Sequence, residues 1–216
     1  MDSRANILLT CFEPYGSADT NISQQVAEGI EAEGVIKLLL PVSFKRAPEV
    51  LREAIERYQP QFILSLGQCA EGENIRLERF AMNMMDSSKG DNDGYIPNEE
   101  TIDANAPLAL RTGLNIKQLY TECVNEGLPV IISNSAGLYV CNRVFWEALR
   151  YSSKALFVHI SKNMDIETVR NTIMFLIKQL SNSRFTSKIV ICKRSSQKDY
   201  KGLCKYPKKE VPLQRK

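Results

Sequence analysis

The sequence predicts an α/β protein of three layers, in which helices cover both faces of a mainly parallel, twisted sheet. Short runs of strand length recur along the chain, and they are apolar almost without a break. Helical patterns lie between most of these runs. Strands that are buried on both faces and alternate with helices are typical of parallel sheets. The 216 residues suit one such domain, or one domain with an appendage.

Five apolar runs are predicted strands of this sheet, and one more run near the end of the chain could add a strand. In chain order the runs are Asn6–Thr10, Ile36–Val42, Phe62–Gly67, Pro129–Ser133, Ala155–Ile160 and Ser187–Lys193. In parallel sheets, sites form at the carboxyl ends of the strands. The loops after Thr10, Gly67, Ser133 and His159 are therefore the places where a site is expected.

Four segments repeat apolar residues with the spacing of three and four that marks a helix. They are Leu51–Tyr58, Ile116–Glu126, Val140–Leu149 and Val169–Leu180. An N-cap at Asp165 is predicted before the last of them. The segment Glu71–Leu110 is rich in Gly, Asn, Asp and charge and is too long for a simple connection. It predicts a functional segment or an excursion with short strands of its own.

Charge divides the chain into an acidic body and a basic end. From Arg184 to Lys216 there are 11 Lys and Arg against 2 Asp and Glu, although the net charge of the whole chain is only +3. We therefore expect one α/β domain over residues 1–182 and a basic C-terminal extension over residues 183–216 that is in part disordered. Contact of the extension with nucleic acid is disfavoured, because no nucleic-acid-binding motif accompanies the charge.

Cysteine usage and hydropathy predict a cytoplasmic protein without a membrane segment. No apolar run approaches the roughly 18 residues of a membrane span, and the first residues lack the pattern of a signal peptide. The six cysteines form no C-x-x-C pair, so free thiols are expected. With one histidine and no clustered Cys/His ligands, the sequence predicts no metal site.

Cys141 is the first candidate nucleophile, since G-x-S-x-G, P-loop and H-E-x-x-H motifs are absent. It follows the strand Pro129–Ser133 and a turn in which Gly137 permits left-handed backbone. In the first turn of the next helix, unpaired N–H groups and the helix dipole favour a thiolate and could hold an oxyanion. Cys141 also fits an apolar spacing with Phe145 and Ala148, so a packing role stays open.

His159, the only histidine, lies at the end of a predicted strand and is the candidate base for a cysteine nucleophile. A histidine of the core or the rim with one hydrogen bond is the alternative. A carboxylate on its second nitrogen would fix the tautomer and stabilise the imidazolium. Glu78 in “LERFAMN” is the candidate for this acid. Four other acids compete for the role on composition alone: Glu71, Glu73, Asp86 and Asp91.

Six motifs in the order of one known family cover most of the predicted domain, from Ile7 to about Leu180. They are “ILLTCFEPYG”, “LPVSFKRAPEVLREAIERYQPQFILSLGQ”, “LERFAMN”, “DNDG”, “SNSAGLYVCN” and “FVHI”. Together they resemble pyroglutamyl peptidase I, the pyrrolidone-carboxylate peptidases, which are cysteine peptidases. The resemblance implies a phosphorylase/hydrolase-like fold and hydrolysis of the amide bond after an N-terminal pyroglutamyl residue, without a cofactor. The implied partners are peptides with N-terminal pyroglutamate, and assembly into a homo-oligomer stays open.

The resemblance also implies roles for single residues. Cys141 matches the family's nucleophile, His159 its base and Glu78 its acid, which implies a thioester acyl-enzyme. By similarity, Phe12 and Tyr15 would sandwich the flat lactam ring. The pocket would be lined or oriented by Asn21, Gln68 and Val140.

The chain departs from the family pattern close to these positions. “GQCAEG” from Gly67 to Gly72 replaces “GQAGGR”, and Ser88 and Lys89 replace an arginine. Cys11 replaces a glycine and Ser161 a proline. The alternative function is therefore a weak or inactive relative that binds peptide ends or a partner.

Overall fold

The protein is described by a computed structural model over residues 6–70 and 72–182. Its elements in chain order are β1 (Ile7–Phe12), α1 (Ile22–Glu28), β2 (Val35–Leu40), α2 (Arg46–Tyr58), β3 (Phe62–Cys69), β4 (Ile75–Glu78), β5 (Phe80–Met82), β6 (Ala109–Arg111), α3 (Ile116–Asn125), β7 (Val130–Ser133), α4 (Val140–Tyr151), β8 (Ala155–Ser161) and α5 (Ile166–Ser181). Six strands form the central sheet in the order β2-β1-β3-β8-β4-β7. The predicted mainly parallel α/β fold is confirmed.

The sheet changes direction once, between β8 and β4. Strands β2, β1, β3 and β8 are parallel, whereas β4 is antiparallel to β8 and parallel to β7. The carboxyl end of β7 therefore points the opposite way from the carboxyl ends of β1, β3 and β8. Segment 134–139 connects β7 to the start of α4.

Helices cover both faces of the sheet and give the predicted three layers. One core packs the side chains of α1, α3 and α5 against residues such as Leu9, Leu64 and Val158. The other core packs α2 and α4 against Leu8 and Phe157 of the opposite face. Because side chains alternate along a strand, the nearly continuous apolar runs of β1, β3 and β8 supply both cores.

Helix α1 lacks a predicted counterpart, since it has seven residues and only a short apolar face. Its first turn is capped by Asn21, whose side chain accepts a hydrogen bond from the Ser23 N–H. The predicted N-cap at Asp165 is confirmed for α5, because its carboxylate accepts from the Thr168 N–H at 2.8 Å. Both caps satisfy N–H groups that the helix leaves unpaired.

The predicted excursion Glu71–Leu110 contributes to two sheets. Strand β4 joins the central sheet, whereas β5 pairs with β6 in a two-stranded antiparallel ribbon. Between them, Met85 forms a bridge with Glu100. The segment therefore supplies a strand of the core as well as the loops above the sheet.

The predicted extension over residues 183–216 and the strand predicted at Ser187–Lys193 lie outside the described residues. The predicted domain boundary at residue 182 stays a prediction. Within residues 6–70 and 72–182, no helix has the length and apolar character needed to cross a membrane.

Candidate active site

The sulfur of Cys141 lies directly over the middle of the sheet. Cys141 is the second residue of α4, and its Sγ is 2.9 Å from the point where a Cβ on Gly67 would stand. Gly67 lies opposite His159 in the parallel pairing of β3 and β8. The absence of a side chain at residue 67 therefore makes room for the sulfur beside the imidazole.

His159 and Glu78 form a buried hydrogen bond of 2.8 Å between Nδ1 and Oε1. Both side chains are almost inaccessible, with 7% of His159 and 1% of Glu78 exposed. Glu78 lies opposite Phe157 in the antiparallel pairing of β4 and β8, so it reaches the imidazole diagonally. The bond fixes the ring orientation and leaves Nε2 as the nitrogen available to Cys141.

The charge state of His159 follows from these two neighbours. Burial by itself would lower the pKa of the imidazole. The charge and hydrogen bond of Cys141, together with the hydrogen bond and charge of Glu78, outweigh burial and raise the pKa of His159 from 6.5 to about 9. The imidazole is therefore protonated at neutral pH, between a sulfur and a carboxylate.

The two buried cysteines, Cys11 and Cys123, both lie in the core of α1, α3 and α5 and differ from Cys141. Burial raises the pKa of Cys11 to about 12, and it raises the pKa of Cys123 to about 12 as well. Both thiols are therefore protonated and inert at neutral pH. Cys141 is only partly buried and lies against an imidazolium, as a reactive thiol requires.

The first turn of α4 is hydrogen-bonded to the backbone of the excursion Glu71–Leu110. The buried Asn142 side chain accepts from the Met82 N–H at 2.8 Å and donates to the carbonyls of Met82 and Met84 at 2.9 Å each. Before it, Gly137 has the left-handed φ of +77° that the turn requires. Because Asn142 follows the nucleophile candidate directly, these bonds fix the position of the sulfur.

No side chain caps the first turn of α4, whose N-cap residue is Tyr139. By contrast, α1, α3 and α5 are capped by Asn21, Asn115 and Asp165. The first N–H groups of a helix have no partner within it, and they carry the positive end of the helix dipole. An uncapped turn of this kind at Cys141 can accept a negatively charged oxygen.

A pocket of about 280 Å³ opens beside Cys141. Its walls come from the loop after β1, the end of β3, the loop 87–89 and the start of α4. The residues that line it include every predicted substrate contact: Phe12, Tyr15, Asn21, Gln68 and Val140. The structure thus brings these five residues together with Cys141.

Two tyrosines hold the loop above the pocket by the same carbonyl. Tyr15 and Tyr139 donate their hydroxyls to the Gly90 oxygen at 3.2 Å and 2.9 Å. Their rings meet edge to face with centroids 5.7 Å apart. Beneath them, Phe12 packs against Phe157, which in turn contacts the His159 ring. The pocket walls are therefore aromatic and joined to the imidazole.

The polar atoms of the pocket are partly committed to the protein itself. Asn21 accepts from Ser23 and donates to the Glu13 carbonyl, so its amide caps α1 and holds the first loop. Gln68 accepts from the Ile22 N–H at 3.1 Å through Oε1. The amide nitrogen of Gln68 is therefore the donor that this residue can offer to a ligand.

The motif “DNDG” holds the loops around the pocket in place by hydrogen bonds. Asp91 accepts from the Phe44 N–H at 2.9 Å, and Asn92 accepts from the Gly16 N–H at 3.0 Å. Asn92 also donates to Glu13 Oε1 at 2.9 Å. These bonds tie the loop that carries Gly90 to the loop that carries Tyr15.

The acids that competed with Glu78 lie elsewhere. Glu73 is exposed, Asp86 accepts from the Glu99 N–H, and Asp91 accepts from backbone N–H groups near α2. Glu71 lies outside the described residues. Glu78 is therefore the carboxylate that contacts His159 in the structure.

Three residues of the site have no predicted role: Gly67, Tyr139 and Asn142. All three stand in the quoted motifs. A glycine that makes room, a tyrosine that donates to a carbonyl and an asparagine that bonds to the backbone of segment 82–84 leave no mark in sequence spacing. Among the departures from the family pattern, Cys69 ends β3, and Ser88 and Lys89 line the pocket.

Residues of the kinds that bind metals do not gather here. The described part of the chain holds no group of three or more His, Cys, Asp or Glu side chains arranged to bind a metal ion.

Comparison with known proteins identifies the relatives of the chain. The family model for pyroglutamyl peptidase matches residues 5–179. The pyrrolidone-carboxylate peptidase of Thermococcus litoralis is 35% identical over 170 residues, which are 74% of this chain and 77% of that protein. The enzyme of that name from Lactobacillus acidophilus is 36% identical over 185 residues, or 84% of this chain and 89% of the relative.

Solved structures show the same likeness. The pyrrolidone carboxyl peptidase from Fervidobacterium islandicum AW-1 superposes with a TM-score of 0.77 at 30% sequence identity, covering 82% of this chain and 98% of that one. The pyrrolidone carboxyl peptidase from Thermococcus litoralis gives a TM-score of 0.76 at 31% identity, with 85% and 98% covered.

Proposed function

The chain belongs to the pyroglutamyl peptidase family and is a hydrolase of that type, and from this premise we propose that it releases N-terminal pyroglutamate from peptides through Cys141, His159 and Glu78. One observation carries the assignment of roles. The imidazole of His159 interacts with both Cys141 and Glu78, and Cys141 lines a pocket of about 280 Å³. This is the order of nucleophile, base and acid that acyl transfer requires.

The pocket suits a flat lactam better than a charged amine. Pyroglutamate has no free α-amine, so recognition needs apolar faces with a donor and an acceptor for the ring C=O and N–H. We assign the faces to Phe12 and Tyr15. The Gln68 amide nitrogen is the donor for the lactam carbonyl, and Val140 lines the wall beside the sulfur. Asn21 holds this wall by capping α1.

The reaction follows from the charges of the site. The Cys141 thiolate attacks the pyroglutamyl carbonyl carbon, and the uncapped N–H groups of α4 hold the oxyanion. His159, which is protonated at neutral pH, gives its proton to the leaving amine. Water then hydrolyses the thioester with the neutral imidazole as base. Glu78 holds the ring and stabilises its charge in both steps.

The test is hydrolysis of a pyroglutamyl-coumarin amide. The wild-type chain should release the fluorophore, and Cys141→Ala should abolish release while the fold remains intact by circular dichroism. Cys69→Ser, which changes a different thiol of the same face, is the matched control and should remain active. Activity that survives in Cys141→Ala overturns the assignment of the nucleophile. Binding of pyroglutamyl peptides without turnover in the wild-type chain would favour the alternative of a binding module.

A further inference from the structure

A second cysteine shares the face of the sheet on which Cys141 lies. Cys69 is the last residue of β3 and stands two residues after Gly67. Because side chains alternate along a strand, residues 67 and 69 point to the same face, about 6.6 Å apart along the strand. The Cys141 sulfur is 2.9 Å from the Cβ position of residue 67. The Cys141 sulfur thus lies over Gly67, and Cys69 is the next residue of β3 on the same face.

Both thiols are accessible to small reactants, unlike the two buried cysteines in the core of α1, α3 and α5. Cys69 and Cys141 are partly exposed, whereas Cys11 and Cys123 are buried. Burial raises the pKa of Cys69, Arg76 opposes this rise, and the charge of Cys141 adds to it. The two sulfurs therefore lie within electrostatic range of each other, and at neutral pH Cys69 carries its proton.

Cys69 also lies where the backbone can shift. Its pairing with Ser161 is the last one between β3 and β8, and the chain leaves the sheet at Ala70. A movement of Cys69 toward α4 disturbs this final pairing and the bond from the Lys162 N–H to the Cys69 carbonyl. The rest of the strand keeps its partners.

We propose that Cys69 and Cys141 are a redox-modification site, in which hydroperoxides convert the nucleophile reversibly into a Cys69–Cys141 disulfide. The inference rests on the proposed function only in naming Cys141 as the reactive thiol. The reactant is a small hydroperoxide, which reaches the Cys141 sulfur through the pocket that opens beside it.

The chemistry balances in two steps. The Cys141 thiolate attacks the terminal peroxide oxygen, an S–O bond forms and the O–O bond breaks, so that Cys141 becomes a sulfenic acid. The remaining alkoxide or hydroxide takes one proton and leaves as an alcohol or water. The Cys69 sulfur then attacks the sulfenic sulfur. The S–S bond forms, and the departing hydroxide leaves with the Cys69 proton as water. An external dithiol restores both thiols by exchange. The disulfide thus protects Cys141 from the irreversible sulfinic and sulfonic acids.

The test uses the full chain, hydrogen peroxide and mass spectrometry. After oxidation and alkylation of free thiols, trypsin releases Cys69 within residues 58–76 and Cys141 within residues 118–143. Chymotrypsin is added to separate Cys141 from Cys123. The wild-type chain should give a linked Cys69–Cys141 peptide that lacks two hydrogen atoms, lose its activity and regain it with dithiothreitol. Cys69→Ser should give Cys141 sulfinic and sulfonic acids, with activity that dithiothreitol does not restore.

Controls separate the possible outcomes. Cys192→Ser/Cys204→Ser removes the two thiols of the C-terminal segment and should still form the linked peptide. A peptide that links Cys141 to Cys192 or Cys204, or irreversible oxidation in the wild-type chain, overturns the proposal. The linked peptide is measured without any peptidase assay. An inactive chain that forms it contradicts the proposed function alone, and an active chain that fails to form it contradicts the redox site alone.

Discussion

The sulfur of Cys141 occupies the space that a side chain on Gly67 would take. The ideal Cβ at residue 67 would be 2.9 Å from Cys141 Sγ and 2.7 Å from the Phe157 ring, closer than real Cβ contacts come. The sequence “SLGQ” thus determines how near the helix that carries the cysteine can approach the sheet. In the proposed mechanism Gly67 is a positioning residue, because it would act on the reaction through the position of the Cys141 sulfur.

Gly67→Ala should therefore move the sulfur away from the imidazole. A misplacement of about 1 Å lowers rates by about 100-fold, so kcat should fall by about that factor while KM changes little. The measurement is steady-state hydrolysis of the coumarin amide. Ser65→Ala is the control on the same face of β3, since the Ser65 hydroxyl is buried without a recorded partner. Equal losses in both variants would contradict a specific role of Gly67.

His159 should titrate with a pKa of about 9. It is the only histidine of the chain, so the Hε1 signal of its ring cannot be confused with that of another histidine. Glu78→Gln should lower this pKa, because the carboxylate favours the charged ring. Cys141→Ala should lower the pKa of His159 by more than Glu78→Gln does, because the charge of Cys141 raises this pKa more than Glu78 does. A pKa that both variants leave unchanged would refute the ion pair.

The same titration should limit activity and stability at alkaline pH. The folded-state pKa of His159, about 9, lies above its ordinary value of 6.5. The resulting stabilisation is complete below pH 6.5 and is lost as pH rises through about 9. The kcat/KM profile should fall over the same range, and Glu78→Gln should shift this fall to lower pH. An alkaline limb of kcat/KM that does not move in Glu78→Gln would show that another group limits the rate.

Asn142→Ala should destabilise the protein, because it removes the hydrogen-bond partner of three partly buried backbone groups of Met82 and Met84. We expect the free energy of unfolding to fall by roughly 2 to 4 kcal/mol. Urea denaturation measures the change. Asn134→Ala is the matched control, since exposed Asn134 accepts one surface hydrogen bond from Arg79. A similar small change in the two variants would show that the Asn142 hydrogen bonds contribute little.

The two tyrosines on the Gly90 carbonyl should be coupled. Tyr15→Phe or Tyr139→Phe alone leaves the carbonyl one hydroxyl partner, so each should raise KM by a factor that corresponds to about 1 kcal/mol. The double variant removes both hydroxyls and should raise KM by more than the product of the single effects. Strictly multiplicative effects would mean that the tyrosines act independently.

Much of the fold is predictable from sequence because β1, β3 and β8 are buried on both faces and read as continuous apolar runs. Helix α1 is not predictable in this way, because its seven residues are too few to show a helical spacing of apolar residues and its start depends on the cap at Asn21. Strand β4 is short, alternates apolar and charged residues and lies in a polar segment, so its sequence does not mark it as a strand of the central sheet. Its antiparallel pairing with β8 depends on contacts that no local sequence pattern encodes. The diagonal contact of Glu78 with His159 follows from that pairing. For the same reason, composition alone leaves Glu78 among several acids.

The reversal of β4 has a consequence for how the sequence can change in length. Because alternate residues of a strand face opposite sides, inserting one residue between Ile75 and Glu78 would turn the carboxylate toward the layer of α1, α3 and α5. Insertions in the connection 70–74 leave that alternation intact. This connection can therefore change in length while Glu78 keeps its pairing. It also contains most of the residues at which “GQCAEG” departs from the family pattern.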